Sequence, residues 1–269
     1  AQFVGSGLLL FMSYSSLAFV NALTFLVAGI LYLSVGLKHK KAGQSLERQE
    51  VNEQKFLATM KSSYMQAKKA HGLLTIMVIV ALLNGVLGAM SALIPIVMAG
   101  HKSTMLIGSY SFTMALMGVL VSLGAAFGSM FGQQLFRNVS AFAMTITAGI
   151  LSFLTTLSSI TAHIYAILPF FFLLAATASI ASIKLTQWLV NTVEHKILAS
   201  TMGLLNTFAM ASAPVMTTIF TTISGISDVR YALIVLLAVE VSVVFVAVRL
   251  SVKVKRSQTE AETVIKVSE

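Results

Sequence analysis

The stretch that decides the fold is residues 73–99, which read LLTIMVIVALLNGVLGAMSALIPIVMA. No charged side chain interrupts it, and an α-helix needs about 20 apolar residues to cross the hydrocarbon core of a bilayer. A helix that is apolar on all its faces belongs in lipid or in the core of a large protein. The stretch therefore predicts a transmembrane helix.

Similar stretches recur to the end of the chain. Of its 269 residues, 57% are hydrophobic and 10% are charged, and the mean hydropathy is +0.89. Soluble domains have about 25% charged residues, so a soluble fold could not cover this much apolar surface. The predicted class is an all-α polytopic membrane protein. The predicted spans are 73–99, 106–131, 139–158, 164–190, 201–223 and 231–250.

Composition also excludes several kinds of site. The chain has no Cys, which rules out thiol nucleophiles, thiolate metal sites and disulfides. Its five His residues are scattered near loops, and it has no phosphate-binding Gly-Lys-Ser loop. We therefore predict no enzyme activity, no cofactor and no metal site. The net charge of +9 falls between the apolar stretches and in the tail, which indicates membrane topology and no nucleic-acid partner.

The first part of the chain has a different pattern. Residues 3–11 are apolar but too short to cross a bilayer, whereas 17–37 could form a full span. The polar segment 38–72 contains eight Lys and Arg residues, and its apolar positions recur at helical spacing over about 45–69. This predicts an amphipathic connector helix at the membrane interface, with a solvated linker as the alternative. Because the chain starts at Ala1 within an apolar block, we expect it to be the back part of a larger protein.

Basic residues are concentrated in alternate loops. One set of loops contains only Lys102 and Arg230, while the other set contains most of the positive charge. Because Lys and Arg accumulate on the cytoplasmic side, the richer set predicts that the connector and the C-terminus are cytoplasmic in a multi-pass protein of the cell membrane. The basic residues of that side lie in 38–72, at Arg137, Lys196 and Arg249, and in the tail 251–269.

Two segments carry a family resemblance. Residues 19–26 (FVNALTFL) resemble the sixth-helix sequence of macrolide-efflux and enterobactin-exporter type transporters. Residues 193–196 (VEHK) and 200–206 (STMGLLN) resemble the turn between their helices ten and eleven. The layout of one and a half helices, a long basic connector and six helices is also similar. The chain thus resembles a bacterial transporter of the major facilitator superfamily that is truncated at its N-terminus.

The resemblance implies a domain organisation. The six-helix C-terminal half would consist of two inverted three-helix repeats, 73–158 and 164–250, with the substrate near the midplane between them. The first helix of each repeat would line the cavity. The implied domains are the end of the N-terminal half with partial helix five and helix six (1–37), the cytoplasmic connector (38–72), the C-terminal half (73–250) and the cytoplasmic tail (251–269).

The resemblance also implies a function. It is secondary active transport, with proton-coupled efflux of a small amphipathic or antibiotic-like compound by alternating access. The implied partners are the lipid bilayer, the small-molecule substrate and protons. Two alternatives remain open, namely a non-transporting fragment of such a transporter and a membrane accessory subunit.

Intramembrane charges are the first candidates for functional residues. Glu240 lies halfway along the last span, where a charged carboxylate is unfavourable, so it should be protonated, paired or facing water. It is either a proton or cation site or a protonated acid packed against another helix. Lys184 shares one helical face with Thr177 and Gln187 and serves either in transport or by reaching the headgroups. A Lys184–Glu240 pair is possible.

Uncharged polar residues are the second group of candidates. Asn84 and Ser91 lie on one face of the 73–99 span, and Asn206 lies in the fifth span. Each either faces the substrate or makes a hydrogen bond between helices. Small residues at a spacing of four let helix backbones approach closely, which predicts a packing role for Gly124, Gly128 and Gly132.

Overall fold

The computed structural model describes residues 73–193 and 195–268, with only the backbone for 195–197 and 254–268. It also describes Met65 and scattered helical positions between Ser16 and Leu31. The predicted hairpin in 1–37 and the predicted connector in 38–72 lie almost entirely outside the described residues, so they stay predictions.

Six long helices follow one another, and the regular elements of the described residues are all helical. All six are long and apolar enough to cross a membrane, which confirms the predicted class of an all-α polytopic membrane protein. Each helix overlaps one predicted span. The helices are α1 (Leu73–Gly100), α2 (Tyr110–Leu135), α3 (Ala141–Ile160), α4 (Ile164–Thr192), α5 (His195–Ile226) and α6 (Val229–Ser268).

Polar caps set where two of these helices begin. The Ser109 hydroxyl accepts a hydrogen bond from the backbone N–H of Phe112 at 3.1 Å, so α2 starts at Tyr110 and not at 106. The Ser140 hydroxyl accepts one from the N–H of Ala143 at 3.2 Å and starts α3. Hydropathy placed these boundaries a few residues too early because it does not register side-chain caps.

The helices pack in a pattern that is nearly the same when the first three helices are exchanged with the last three, here called the exchanged packing pattern. α1 packs mainly on α5, α2 packs mainly on α4, and α3 packs on both α4 and α6. Suppose that α1, α2 and α3 are exchanged, in that order, with α4, α5 and α6. The contact of α1 with α5 then corresponds to that of α4 with α2, and the contact of α3 with α4 corresponds to that of α6 with α1. The contact of α3 with α6 corresponds to itself. The exchange is imperfect, because α6 packs on α5 more than α3 does on α2. Equivalent helices, such as α1 and α4, are three membrane crossings apart along the chain. They therefore run in opposite directions, as the helices of two inverted three-helix repeats would.

Glycines bring α2 and α4 into close contact. A Cβ atom added to Gly128 would overlap the backbone carbonyl of Ala176, and one added to Gly124 would overlap that of Phe172. Gly132 likewise has no room for a side chain beside α4. The predicted packing role of the three glycines is confirmed.

Two apolar cores occupy opposite ends of the bundle. The end that contains Leu73, here called the Leu73 end, has a core formed with Leu189, Leu205 and Leu250. The opposite end, here called the Gly100 end, has a larger core that extends from mid-depth. Members of this second core come from four of the six helices and from a short helix, Lys102–Met105, that follows α1; they are Leu93, Met98, Met105, Ile167, Phe220 and Leu236.

Candidate functional site

A cavity of about 620 Å³ lies between α1, α3, α4 and α5. Its walls are formed by the middle and the Leu73-end part of each helix, over 80–87, 145–152, 174–186 and 202–213. The cavity therefore extends from mid-depth toward the Leu73 end, while the second core fills the Gly100 end. The first helix of each predicted repeat, α1 and α4, contributes to the walls.

The cavity walls are mainly apolar and carry no ionisable side chain among the described residues that line them. Leu, Val, Ala and Met side chains make up most of the surface. The Thr145 and Thr186 hydroxyls donate to carbonyl oxygens of their own helices, both at 2.9 Å, so they offer no free proton. The polar lining residues are Asn84, Thr145, Ser152, Ser182, Thr186 and Asn206.

Two of the predicted site residues, Asn84 and Asn206, line this same cavity from α1 and α5. The Asn84 amide nitrogen donates to the carbonyl oxygen of Val80 at 2.9 Å, which leaves its amide oxygen available. The Asn206 side chain is exposed and has no hydrogen-bond partner among the described residues. Both amides therefore keep hydrogen-bonding atoms that no described residue uses, as does the Ser182 hydroxyl.

The other uncharged candidate on α1, Ser91, does not line the cavity. Its hydroxyl donates to the carbonyl oxygen of Gly88 at 2.7 Å, within its own helix. The structure thus separates Ser91 from Asn84, although both were assigned to one polar face of the span.

The stripe that contains Lys184 also lies outside the cavity lining, although α4 forms one wall. The cavity face of α4 carries Leu174, Ala178 and Leu185, and a helix turns by about 100° per residue. Thr177 and Lys184 therefore lie on a different face. Thr177 donates to its own helix at 2.8 Å, Lys184 is half-buried, and Gln187 is exposed.

Glu240 is buried near the middle of Val229–Lys253, the part of α6 that could span a membrane, with 1% of its surface exposed. Its Oε1 atom accepts hydrogen bonds from Ser152 Oγ at 2.7 Å and from Thr156 Oγ1 at 2.9 Å. Met90 Sδ lies 3.3 Å from Thr156 Oγ1. The Oε2 atom of Glu240 is buried and has no hydrogen-bond partner among the described residues. We call Met90, Ser152, Thr156 and Glu240 the Glu240 cluster.

The α3 helix presents both hydroxyl donors on one face, because residues four apart lie one above the other on a helix. The neighbouring hydroxyls of Thr155 and Ser159 instead donate to carbonyls of their own helix, at 2.6 and 2.8 Å. Sequence reasoning missed Ser152 and Thr156. The available signal was their spacing of four within a span that has no charged residue of its own.

Ser152 belongs to both sites. It lines the cavity, and its hydroxyl donates to Glu240 on the neighbouring helix. The carboxyl group therefore lies one side chain behind the cavity wall, near mid-depth. Within the described residues, Glu240 is hydrogen-bonded to hydroxyl groups and not paired with Lys184.

The fold and the site together define a class: a polytopic helical membrane protein with an internal cavity beside a buried carboxyl group. No protein-family model, no curated protein and no solved structure matches this chain.

Proposed function

We propose that this protein is a proton-coupled secondary transporter of the major facilitator superfamily that exports a small, largely apolar molecule by alternating access. The observation that carries the proposal is the shared position of Ser152, which lines a mid-depth cavity and also donates to buried Glu240. A cavity for the solute and an adjoining group that can bind a proton are the two parts that coupled transport needs.

Alternating access requires a central cavity that opens to one side of the membrane at a time. Here the second apolar core closes the Gly100 end, and the cavity extends toward the Leu73 end. The exchanged packing pattern supports a second state in which equivalent helices of the two repeats trade roles. In that state the Gly100 end would open and the Leu73 end would close.

Coupling would arise from the chemistry of the Glu240 cluster. A carboxylate in an apolar interior is unfavourable unless it is fully hydrogen-bonded, and among the described residues only Oε1 of Glu240 has donors. A proton on Glu240 removes the charge while the cluster is closed. When the cavity rearranges and water reaches Ser152, the carboxyl group can release that proton to the open side.

The charge distribution supports a direction of transport. Arg137 lies in a loop at the Leu73 end of the bundle, and Arg249 of α6 is next to Leu250, which belongs to the core of that end. Positive residues favour the cytoplasmic side, so the cavity would load from the cytoplasm and release its solute outside.

The test is proton-driven flux in proteoliposomes. Vesicles that contain the protein should move a small apolar solute when a pH gradient is imposed. The Glu240→Gln variant should still bind the solute but should lose the dependence of flux on the gradient, because an amide cannot release a proton.

A matched acid-to-amide control is Asp228→Asn, since Asp228 is exposed near the Gly100 end and, among the described residues, its side chain accepts a hydrogen bond only from the backbone N–H of Arg230, at 2.8 Å. It should transport like the wild type. Unchanged pH dependence in Glu240→Gln would remove Glu240 from coupling. A lack of gradient-driven flux in the wild type, across a panel of apolar solutes, would overturn the proposal.

A further inference from the structure

The cavity walls also restrict the charge of the solute. The described lining residues include no acid and no base, so a bound ion would find no counter-charge among them. Moving an unpaired ion from water into an apolar site is strongly unfavourable. The nearest carboxyl group, that of Glu240, lies behind Ser152 and is already hydrogen-bonded to two hydroxyls.

The two uncommitted amides supply selectivity. Asn206 can both donate and accept, and Asn84 retains its amide oxygen as an acceptor because its nitrogen bonds Val80. In an apolar cavity, a polar group that loses water without gaining a partner is unfavourable. These amides therefore favour a molecule that carries a matching carbonyl, hydroxyl or similar group and disfavour a pure hydrocarbon.

The apolar part of the cavity wall fits a ligand that is mostly bulky and apolar. A volume of about 620 Å³ falls within the range of drug-sized ligand sites, about 300–1,000 Å³. Met202 and Met210 lie in the walls, and unbranched Met side chains adapt to ligands of different shape. The cavity should thus accept ligands of different shapes and discriminate between ligands of different charge.

From these features we infer that the cavity binds an uncharged, mainly apolar molecule through a hydrogen-bonding group held by Asn206 and Asn84. This inference rests on the proposed function and names the solute class of that same cavity. It excludes permanent cations as the preferred solute.

Two probes of similar bulk and different charge test the inference. Triphenylphosphine oxide is uncharged and carries one strong hydrogen-bond acceptor, whereas tetraphenylphosphonium is a permanent cation. Calorimetric titration of the purified protein in detergent, corrected with protein-free micelles, should show binding of the oxide. The cation should bind at least about tenfold more weakly, because it has no counter-charge in the cavity.

Substitutions at Asn206 provide the specific test. Asn206→Leu should weaken oxide binding about fivefold to tenfold, the usual effect of one lost hydrogen bond. Asn206→Asp should weaken the oxide and strengthen the cation by about tenfold, since it places a carboxylate in the wall. This gain of binding cannot come from misfolding.

The matched controls are Gln187→Leu and Gln187→Glu, because Gln187 is an exposed amide on α4 outside the cavity lining. Both should bind the two probes like the wild type. Absent oxide binding, tighter binding of the cation by the wild type, or equal effects at Gln187 and Asn206 would each overturn the inference.

The outcomes separate this inference from the proposed function. Binding of the oxide without gradient-driven flux would refute transport and leave the solute class standing. Gradient-driven flux of the cation by the wild-type protein would support transport and refute the solute class.

Discussion

Hydroxyl groups in these helices are used in two ways. About half of the described Ser and Thr side chains donate to a carbonyl oxygen three or four residues earlier, as Ser122, Thr147 and Ser242 do. Such bonds satisfy the hydroxyl without involving another helix. Ser152 and Thr156 differ, because they donate across to Glu240. This difference identifies the place where a polar group between helices has been retained in an apolar interior.

Replacing both donors should therefore destabilise the protein. We expect the double variant Ser152→Ala/Thr156→Val to lose about 1–2 kcal/mol of unfolding free energy, because Glu240 would remain buried without hydrogen bonds. Unfolding in a graded detergent series would measure it. Thr147→Val is the control on the same helix, since the exposed Thr147 donates only to its own backbone at 2.9 Å. Equal losses in the two variants would contradict the interpretation.

At this scale the sequence indicated which residues are unusual and could not indicate which of them meet. Glu240 and Asn206 are evident as polar groups within apolar spans. The partners of Glu240 depend on how α3 and α6 are rotated toward each other, and no local pattern encodes that rotation. For the same reason Lys184 was correctly placed on a polar face of α4, yet that face does not line the cavity.

Close approach at the level of elements depends on small residues. The α2 and α4 helices can lie backbone to backbone only because Gly124 and Gly128 present no side chain to the carbonyls of α4. The α1 and α5 helices approach similarly, since a Cβ atom on Gly88 would lie 2.9 Å from the Cβ of Ala213. The two equivalent helix pairs thus use the same packing device.

A methyl group at Gly128 should separate the α2–α4 pair. We expect Gly128→Ala to lower the unfolding free energy by about 1–3 kcal/mol, because its Cβ would overlap the carbonyl of Ala176. Gly203→Ala is the matched control, since no described atom outside its own stretch of helix lies within 4 Å of the position of its added Cβ, and it should be neutral or slightly stabilising. Thermal aggregation midpoints in one detergent would compare them. An unchanged midpoint for Gly128→Ala would show that α2 and α4 can move apart without loss of stability.

Elements were the most predictable level of this structure. Apolar length located six helices because lipid-facing and core-facing residues are both apolar. The spacing of Gly124, Gly128 and Gly132 correctly predicted a packing face. It could not specify α4 as the partner, since any helix of suitable direction could use that face.

For the whole molecule, the main feature is the difference between the two ends of the bundle. One end is closed by a continuous apolar core, and the other leaves room for the cavity between α1, α3, α4 and α5. The exchanged packing of the two three-helix units was invisible at residue level, because the units share no obvious sequence. The family resemblance implied two such units, and the pattern in which the helices pack is consistent with them.

The cavity should be accessible from one side of the membrane. The chain has no Cys, so a single introduced thiol is a clean reporter. We expect Ala209→Cys in the cavity wall to react with a membrane-impermeant maleimide applied from the cytoplasmic side, where the Leu73 end is proposed to lie. Leu93→Cys, in the fully buried core of the Gly100 end, should stay unlabelled from both sides.

Labelling of Ala209→Cys only from the outside would reverse the proposed orientation. Labelling of Leu93→Cys at a comparable rate would show that the Gly100 end is open. Either result is read directly from the mass of the modified protein.

Because many Ser and Thr hydroxyls donate within their own helices, the few hydrogen bonds between helices can affect the rate of conformational change. At mid-depth, in the part of the chain that the structure describes, the hydrogen bonds that cross between α1–α6 all belong to the Glu240 cluster. Elsewhere at that depth, neighbouring helices meet through apolar contacts, which are non-directional. In the proposed transport cycle, breaking these hydrogen bonds would therefore add to the activation barrier for moving one three-helix unit past the other. A change in the two hydrogen bonds of Glu240 would alter the rate of the whole movement.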